Sequence, residues 1–490
     1  MCYKVLPYNQ SLALLTDFYE LTMAYGYWKS GVSDKEAVFH LFFRNNPFKS
    51  GFTIACGLEY VIDFLENFRL DKSDLDYLRS LRGNDERPIF DNAFLDYMAD
   101  MNFSCDIDAV AEGTAVFPLE PLVRVQGPII QCQILETALL NIINFQTLIA
   151  TKARRMCIAA QGEPILEFGL RRAQGIDGSL AASRAAYIGG CSATSNVLAG
   201  KVFGIPVKGT HAHSWIMSFD DELESFKAYA KAMPNNCVFL VDTYDTLEGV
   251  RNAVEAGKWL RQNGHEMAGI RLDSGDLAYL SIEARKILDQ QGFKNAKIIA
   301  SNDLDENIIT SLKAQGAQVN IWGVGTKLIT AYDQPALGGV YKIAAVKEPE
   351  GEWKYKIKLS EQAVKVSNPG IQQVRRYIKN NEAVADVIYD KDTNLDKGCI
   401  MIDPLDMTRQ KRITTDMKGE DLLLPVFRKG KRVYPRVSLE EIRKKAKKSL
   451  EQFHGGIKRF TNPHQYPVGL EKSLYALKTE LILKSREVLM

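Results

Sequence analysis

Apolar runs that stop abruptly at polar residues recur through the middle of the chain. They are Val238-Phe239-Leu240-Val241-Asp242-Thr243, Ile270-Arg271-Leu272-Asp273-Ser274-Gly275-Asp276, Ile298-Ile299-Ala300-Ser301-Asn302-Asp303 and Val319-Asn320-Ile321-Trp322-Gly323-Val324-Gly325-Thr326. A short apolar run bounded by turn-forming residues predicts a buried strand. Segments 223–233, 247–263 and 277–290 carry apolar residues at helical spacing, so strands and helices alternate. Further strands are predicted at 164–168 and 205–208, after a long helical pattern over 134–160. Such alternation builds a parallel sheet, either a closed barrel or an open doubly wound sheet, and both place ligands at the carboxyl ends of the strands.

The flanking regions have a different rhythm. Asp17 with Glu20 predicts a helix start, Gly31 its stop, and 37–43 a strand rich in aromatic residues. Beyond Asp71 the chain is charged and irregular as far as Met101. From 112 to 130, Pro118, Pro121, Gly127 and Pro128 interrupt short apolar pieces, a pattern of edge strands and turns. After Gly339 the alternation is lost, and 353–359 alternates Lys with Tyr, Ile and Leu, which predicts an antiparallel strand rejoining the first region. In the basic stretch 428–459, Ser438 and Glu441 have capping-box spacing, and Leu439, Ile442, Ala446, Leu450 and Phe453 share one helical face. The expected organisation is an N-terminal α+β domain over 1–133, an α/β barrel with the active site over 134–345, and a segment 346–490 that partly rejoins the first domain.

Composition narrows the class. A chain of 490 residues with 46% hydrophobic and 25% charged residues can bury a large core in several domains. A net charge of +2 gives no basic field, which argues against nucleic acid as a partner. The cysteines Cys2, Cys56, Cys105, Cys132, Cys157, Cys191, Cys237 and Cys399 form no Cys-x-x-Cys pair, as expected of reduced thiols in a cytoplasm. The strongest membrane candidate, 137–151, contains Asn141, Asn144 and Gln146 and falls short of the ~20 apolar residues a spanning helix needs.

Several segments at strand ends carry candidate chemistry. Gly209-Thr210-His211-Ala212-His213-Ser214 follows the predicted strand 205–208. His-x-His on a strand suits either a metal centre, as in metal-dependent barrel hydrolases, or a single histidine for proton or phosphoryl transfer. In Gly169-Leu170-Arg171-Arg172-Ala173-Gln174-Gly175, paired guanidiniums suit a pyrophosphate or carboxylate, and equally a salt-bridged helix start. Asp273 and Asp276 present two carboxylates for ribose hydroxyls or magnesium waters, unless Asp276 caps the following helix. Gly323-Val324-Gly325-Thr326 is a glycine-rich turn able to cradle a phosphate.

With these segments, Leu15-Thr16-Asp17-Phe18-Tyr19-Glu20-Leu21-Thr22-Met23, Phe43-Arg44-Asn45-Asn46-Pro47-Phe48, Glu167-Phe168-Gly169 and Leu337-Gly338-Gly339-Val340-Tyr341-Lys342 stand in an order that resembles the nicotinate phosphoribosyltransferases over nearly the whole length. The resemblance implies a type II phosphoribosyltransferase, an irregular α/β barrel beside an N-terminal α+β domain, working as a homodimer in NAD biosynthesis. It implies the substrates nicotinate and 5-phosphoribosyl 1-diphosphate, with ATP and Mg2+. It also implies nicotinate contacts from Tyr19, Thr210 and Arg271, phosphorylation of His213, diphosphate contacts from Arg171 and Arg172, and ribose contacts from Asp273. Gly323, Gly325, Thr326 and, in a late segment, Ser367 would meet phosphate. Nicotinamide phosphoribosyltransferase is the nearest alternative, and the metal-dependent hydrolase lies outside the class.

Overall fold

The computed structural model describes residues 11–487, so Cys2 lies outside it. The chain divides into two compact units, Ile149–Pro335 and the remainder on either side of it, compared with expected divisions near 134 and 345.

The 149–335 unit carries the strand-helix alternation. Its strands are β1 (Ile165–Glu167), β2 (Ala193–Thr194), β3 (Val238–Leu240), β4 (Gly269–Leu272), β5 (Lys297–Ala300) and β6 (Ile321–Val324). They form one parallel sheet in the order β2-β1-β6-β5-β4-β3. Their apolar centres are buried: Ile270, Ile298, Val324 and Trp322 are fully covered. Helices Thr246–Gln262, Leu277–Gln290 and Glu306–Ala314 pack their apolar stripes inward through residues such as Val250, Leu260, Leu288 and Ile309. Asp245, Asp276 and Asp305 each accept a first-turn N–H from their side chains, a cap typically worth ~1 kcal/mol. Asp276 is therefore a helix cap.

The segment 205–208 is not a strand. Val207 makes only a single bridge to Thr194, and β2, too short to show a period of two, holds the position next to β1. No ladder among the described residues joins this edge to β3. Instead the Leu240 N–H donates to His211 Nε2 at 3.3 Å, so an imidazole spans the seam of an irregular barrel.

The flanking unit is built on two large sheets, with a small two-stranded one formed by Thr53–Ile54 and Ala115–Val116. The first has the order Lys354–Tyr355, Gly339–Lys347, Glu36–Phe43, Val123–Pro128, Asp106–Val110, Leu423–Arg428, Lys431–Arg432, all antiparallel. The strand expected at 353–359 thus pairs back toward the N-terminal strand as Lys354–Tyr355. The second sheet has six strands and includes Gln372–Lys379 and Glu382–Asp390. Helix Leu439–Glu451 starts at the Ser438–Glu441 capping box and buries Ile442, Ala446 and Leu450.

Three expectations are corrected. Strand Val123–Pro128 lies inside its sheet, between Glu36–Phe43 and Asp106–Val110, because its proline stands at the very end of the ladder. The charged stretch after Asp71 contains helices Lys72–Ser80 and Asn92–Asp100, the first held by an Asp71–Asp74 capping box rather than by an apolar stripe. The apolar helical stretch is Ile129–Ala159, whose 31 residues reach spanning length and whose most apolar window has a mean hydropathy of 1.3, although 67% of that window is buried in the fold as in a core helix.

Candidate functional site

The loops leaving β1, β4, β5 and β6 enclose an open cavity of about 590 Å³, lined among others by Arg171, Arg172, Asp273, Asn302, Asp303, Gly323, Gly325 and Thr326. A second, adjoining lobe of about 630 Å³ is lined by Leu170, Ser195, Gly209 and Thr210. Phe168, Arg171 and Arg271 line both lobes.

Arg271 stands at the junction. Its Nη2 donates to Asp273 Oδ1 at 2.7 Å, its Nε to Ser301 Oγ at 2.8 Å and its Nη1 to Thr210 Oγ1 at 3.2 Å. The guanidinium carbon also sits 5.9 Å from the Phe168 ring centre. Burial raises the Asp273 carboxyl, but the Arg271 charge and the Ser301 hydroxyl outweigh it and hold its pKa below the ordinary carboxylate value. Asp242 fixes the turn from beneath: its Oδ2 accepts the Asp273 N–H at 2.9 Å and the Ser274 hydroxyl at 2.6 Å. Gly275 has φ 76°, which only a residue without Cβ adopts cheaply in this tight turn.

Arg171 and Arg172 lie in a one-turn 3-10 helix, Leu170–Arg172, with both side chains exposed. Neither has an ion-pair partner among the described residues, so the salt-bridged reading of this segment falls away. The turn is anchored by Glu167, which is 1% exposed and accepts the Gly169 N–H, the Ser183 hydroxyl at 2.9 Å and the Thr194 hydroxyl at 2.6 Å. Gly169 has no room for a side chain, since a Cβ would stand 2.5 Å from Ile329 Cβ. Beside it, where the paired strand β6 ends, Thr326 opens a short helix after Gly325, and the N–H groups of a first helical turn have no acceptor within the helix. Asn302 and Asp303 have φ of 96° and 32°, a strained backbone for non-glycine residues, and both face the cavity.

His213 begins the helix His213–Ile216 and is 41% exposed. Its Nδ1 lies 3.1 Å from Thr243 Oγ1 and its Nε2 3.9 Å from Asp273 Oδ2.

Comparison with known proteins gives the geometry a lineage. The nicotinate phosphoribosyltransferase (NAPRTase) family model matches residues 164–418, with its N-terminal domain over 14–144 and its C-terminal domain over 371–478. Nicotinate phosphoribosyltransferase of Bacillus subtilis (strain 168) is 45% identical over 485 residues, covering 98% of this chain and 97% of that protein. The chain belongs to the nicotinate phosphoribosyltransferase family. The human member is 33% identical over 526 residues, covering 96% of each chain. The crystal structure of human nicotinic acid phosphoribosyltransferase superposes with a TM-score of 0.82 at 31% identity, covering 95% of this chain and 99% of that one.

Of the expected site residues, the 149–335 unit brings together Arg171, Arg172, Thr210, Arg271, Asp273, Gly323, Gly325 and Thr326 around the two lobes, with His213 beside Asp273. Tyr19 and Ser367 belong to the other unit. Tyr19 is 45% exposed on helix Phe18–Lys29, and burial of its hydroxyl, with Glu136 and Glu20 nearby, pushes its pKa up to about 12. Ser367 is buried, and its hydroxyl accepts the Lys358 N–H at 2.8 Å. Sequence reasoning missed Glu167, Asp242, Thr243 and Ser301 as contributors to the site. Each ends, or directly follows, an apolar strand run, and that position was the available signal.

The two histidines of the His-x-His motif do not converge. His211 is 8% exposed and accepts a backbone N–H, and among the described residues no group of three His, Cys, Asp or Glu side chains forms a metal-binding set. The hydrolase alternative therefore loses its ligand set. Burial lowers the His211 pKa from 6.5 to about 4. Between those pH values the unfolded chain binds a proton that the folded chain refuses, so stability falls as pH drops through the interval. His211→Gln retains an acceptor for Leu240 but does not titrate. Chemical unfolding at pH 7, 5.5 and 4.5 is expected to show the unaltered chain losing about 2 kcal/mol more than this variant by the lowest pH. Parallel losses in the two proteins would remove the imidazole from the account.

Proposed function

We propose that the chain joins nicotinate to the anomeric carbon of 5-phosphoribosyl 1-diphosphate, giving nicotinate mononucleotide and pyrophosphate for NAD biosynthesis, as a homodimer whose turnover is coupled to ATP hydrolysis. The observation that carries this reading is a single cavity lined by Arg171 and Arg172, which have no ion-pair partner among the described residues, by the Arg271–Asp273 pair and by the Gly323–Thr326 turn of the neighbouring strand.

The C–O bond to the diphosphate breaks while the ring nitrogen of the base forms the new C–N bond. Positive charge grows on the ribose and negative charge on the leaving group, so the site must position and neutralise rather than supply a covalent nucleophile. Arg171 and Arg172 face the diphosphate, Asp273 the ribose, and the Gly323, Gly325 and Thr326 backbone the 5-phosphate. Thr210 and Arg271 hold the nicotinate in the second lobe, and in the proposed homodimer Tyr19 of the neighbouring subunit supplies a further base contact. Ser367 stays within its own loop in this reading. A magnesium ion carried on the diphosphate needs only one or two protein carboxylates, and Asp273 and Asp303 in the cavity wall fit that requirement. Bound there, it would neutralise leaving-group charge.

Incubation of the purified chain with nicotinate, 5-phosphoribosyl 1-diphosphate and Mg2+ should yield equal amounts of nicotinate mononucleotide and pyrophosphate by mass spectrometry. Pyrophosphate without the mononucleotide, or no turnover, overturns the reaction. Sedimentation equilibrium should give twice the chain mass of 55.0 kDa, and a persistent monomer overturns the dimer.

A further inference from the structure

We infer that Ser301 is the positioning residue that sets base selectivity, because its hydroxyl locks the Arg271 guanidinium in the one orientation that reads a carboxylate. This rests on the reaction proposed above and assigns a role to a residue outside the substrate contacts.

Ser301 is placed by the sheet itself. It follows β5, whose Ala300 pairs with Leu272 of β4, and its own N–H donates to Leu272 O at 2.9 Å. The side chain is thereby delivered beside Asp273, in a position only 4% exposed. A hydroxyl has one hydrogen, and here it goes to Asp273 Oδ1, so toward Arg271 Nε, at 2.8 Å, the oxygen can only accept. Arg271 Nη2 donates to the same Asp273 oxygen at 2.7 Å. Arg271, Ser301 and Asp273 therefore form a closed hydrogen-bonded ring.

The ring determines which donors are left. Of the five guanidinium N–H groups, one each is taken by Ser301, Asp273 and Thr210, leaving one on Nη1 and one on Nη2 for a ligand among the described residues. Two donors on a fixed plane match a carboxylate, while an amide offers one acceptor oxygen and two hydrogens that meet no acceptor there. Removing the Ser301 hydroxyl leaves the charge of Arg271 in place but frees the plane to rotate about its Asp273 contact. The loss falls on the anionic base, which depends on the fork, and hardly on a neutral one. A residue that merely supported the fold would weaken both bases alike.

The test compares Ser301→Ala, Ser301→Thr and the unaltered chain, each as the full-length protein with 5-phosphoribosyl 1-diphosphate at saturation. In Ser301→Ala, kcat/KM for nicotinate is expected to fall about tenfold and that for nicotinamide less than about twofold, with the selectivity ratio restored in Ser301→Thr. Equal losses for both bases, or an unchanged ratio, overturn the inference. Thermal unfolding of each variant identifies a loss of fold, and if Ser301→Ala shows one, Ser301→Cys, which keeps the volume but gives up the oxygen acceptor, reads the fall in the ratio in its place. Should the unaltered chain form no mononucleotide, the reaction itself fails. Calorimetric titration of nicotinate and nicotinamide into the same proteins still decides Ser301, since the inference requires nicotinate binding alone to weaken.

Discussion

Replacing His213 with alanine is expected to cut ATP hydrolysis at least a hundredfold while slow formation of nicotinate mononucleotide persists without ATP at high 5-phosphoribosyl 1-diphosphate. The proposed role of His213 keeps the two expected activities apart. His213 Nδ1 meets the Thr243 hydroxyl at 3.1 Å, and the tautomer that donates there leaves the Nε2 lone pair free on an imidazole 41% exposed. Attack on the γ-phosphorus of ATP forms an N–P bond at Nε2, breaks the bridging P–O bond and releases ADP. The new phosphoryl group would stand next to Asp273, whose carboxylate is 3.9 Å from Nε2, and its charge would change the field in which the diphosphate binds. None of these steps supplies an atom to the glycosidic bond, so the transfer survives without them. Acid-labile label from γ-labelled ATP on the peptide carrying His213 is the direct measurement. Label on His211, or on neither, would refute the assignment. His211→Ala is expected to be milder for hydrolysis, since that ring is buried in the barrel seam and already bonded to Leu240.

That last contrast shows where the sequence was legible and where it was not. Alternation along a strand would have set His211 and His213 on one face, yet His213 opens a helix and 205–208 is no strand. The two rings part through burial and a helix start. Tracts such as 270–276 were readable because a buried parallel strand is apolar throughout and must end where its loop meets solvent. Helix Leu277–Gln290 was readable to the residue because Asp276 caps it and one apolar stripe runs its length. Lys72–Ser80 was not, because its stability comes from a capping box and one buried leucine. In the site, the charged and glycine residues announced themselves, whereas Ser301 and Asp242 act on partners about 30 positions away across neighbouring strands, a relation that only the register of the sheet creates.

Nicotinate should be preferred over nicotinamide by at least about tenfold in kcat/KM, or roughly 1.4 kcal/mol, and Arg271→Ala should erase most of that preference. Arg271 lines the second lobe with Thr210, Phe168 and Arg171, and alone of the two arginines it is fixed by three hydrogen bonds that leave donors with no acceptor among the described residues. A charge-assisted pair of hydrogen bonds to a carboxylate contributes roughly 3 kcal/mol, so the variant should lose about a hundredfold on nicotinate. Nicotinamide gains little from the guanidinium and should lose far less. Arg271→Lys is a sharper probe, since it keeps the charge and gives up the fork. If charge alone selected the base, lysine would preserve the preference. If the planar donor pair selects it, most of the preference should vanish with lysine as with alanine. Initial rates with both bases at saturating 5-phosphoribosyl 1-diphosphate decide the matter, and equal rates on the two bases in the unaltered chain would remove the carboxylate from the recognition altogether.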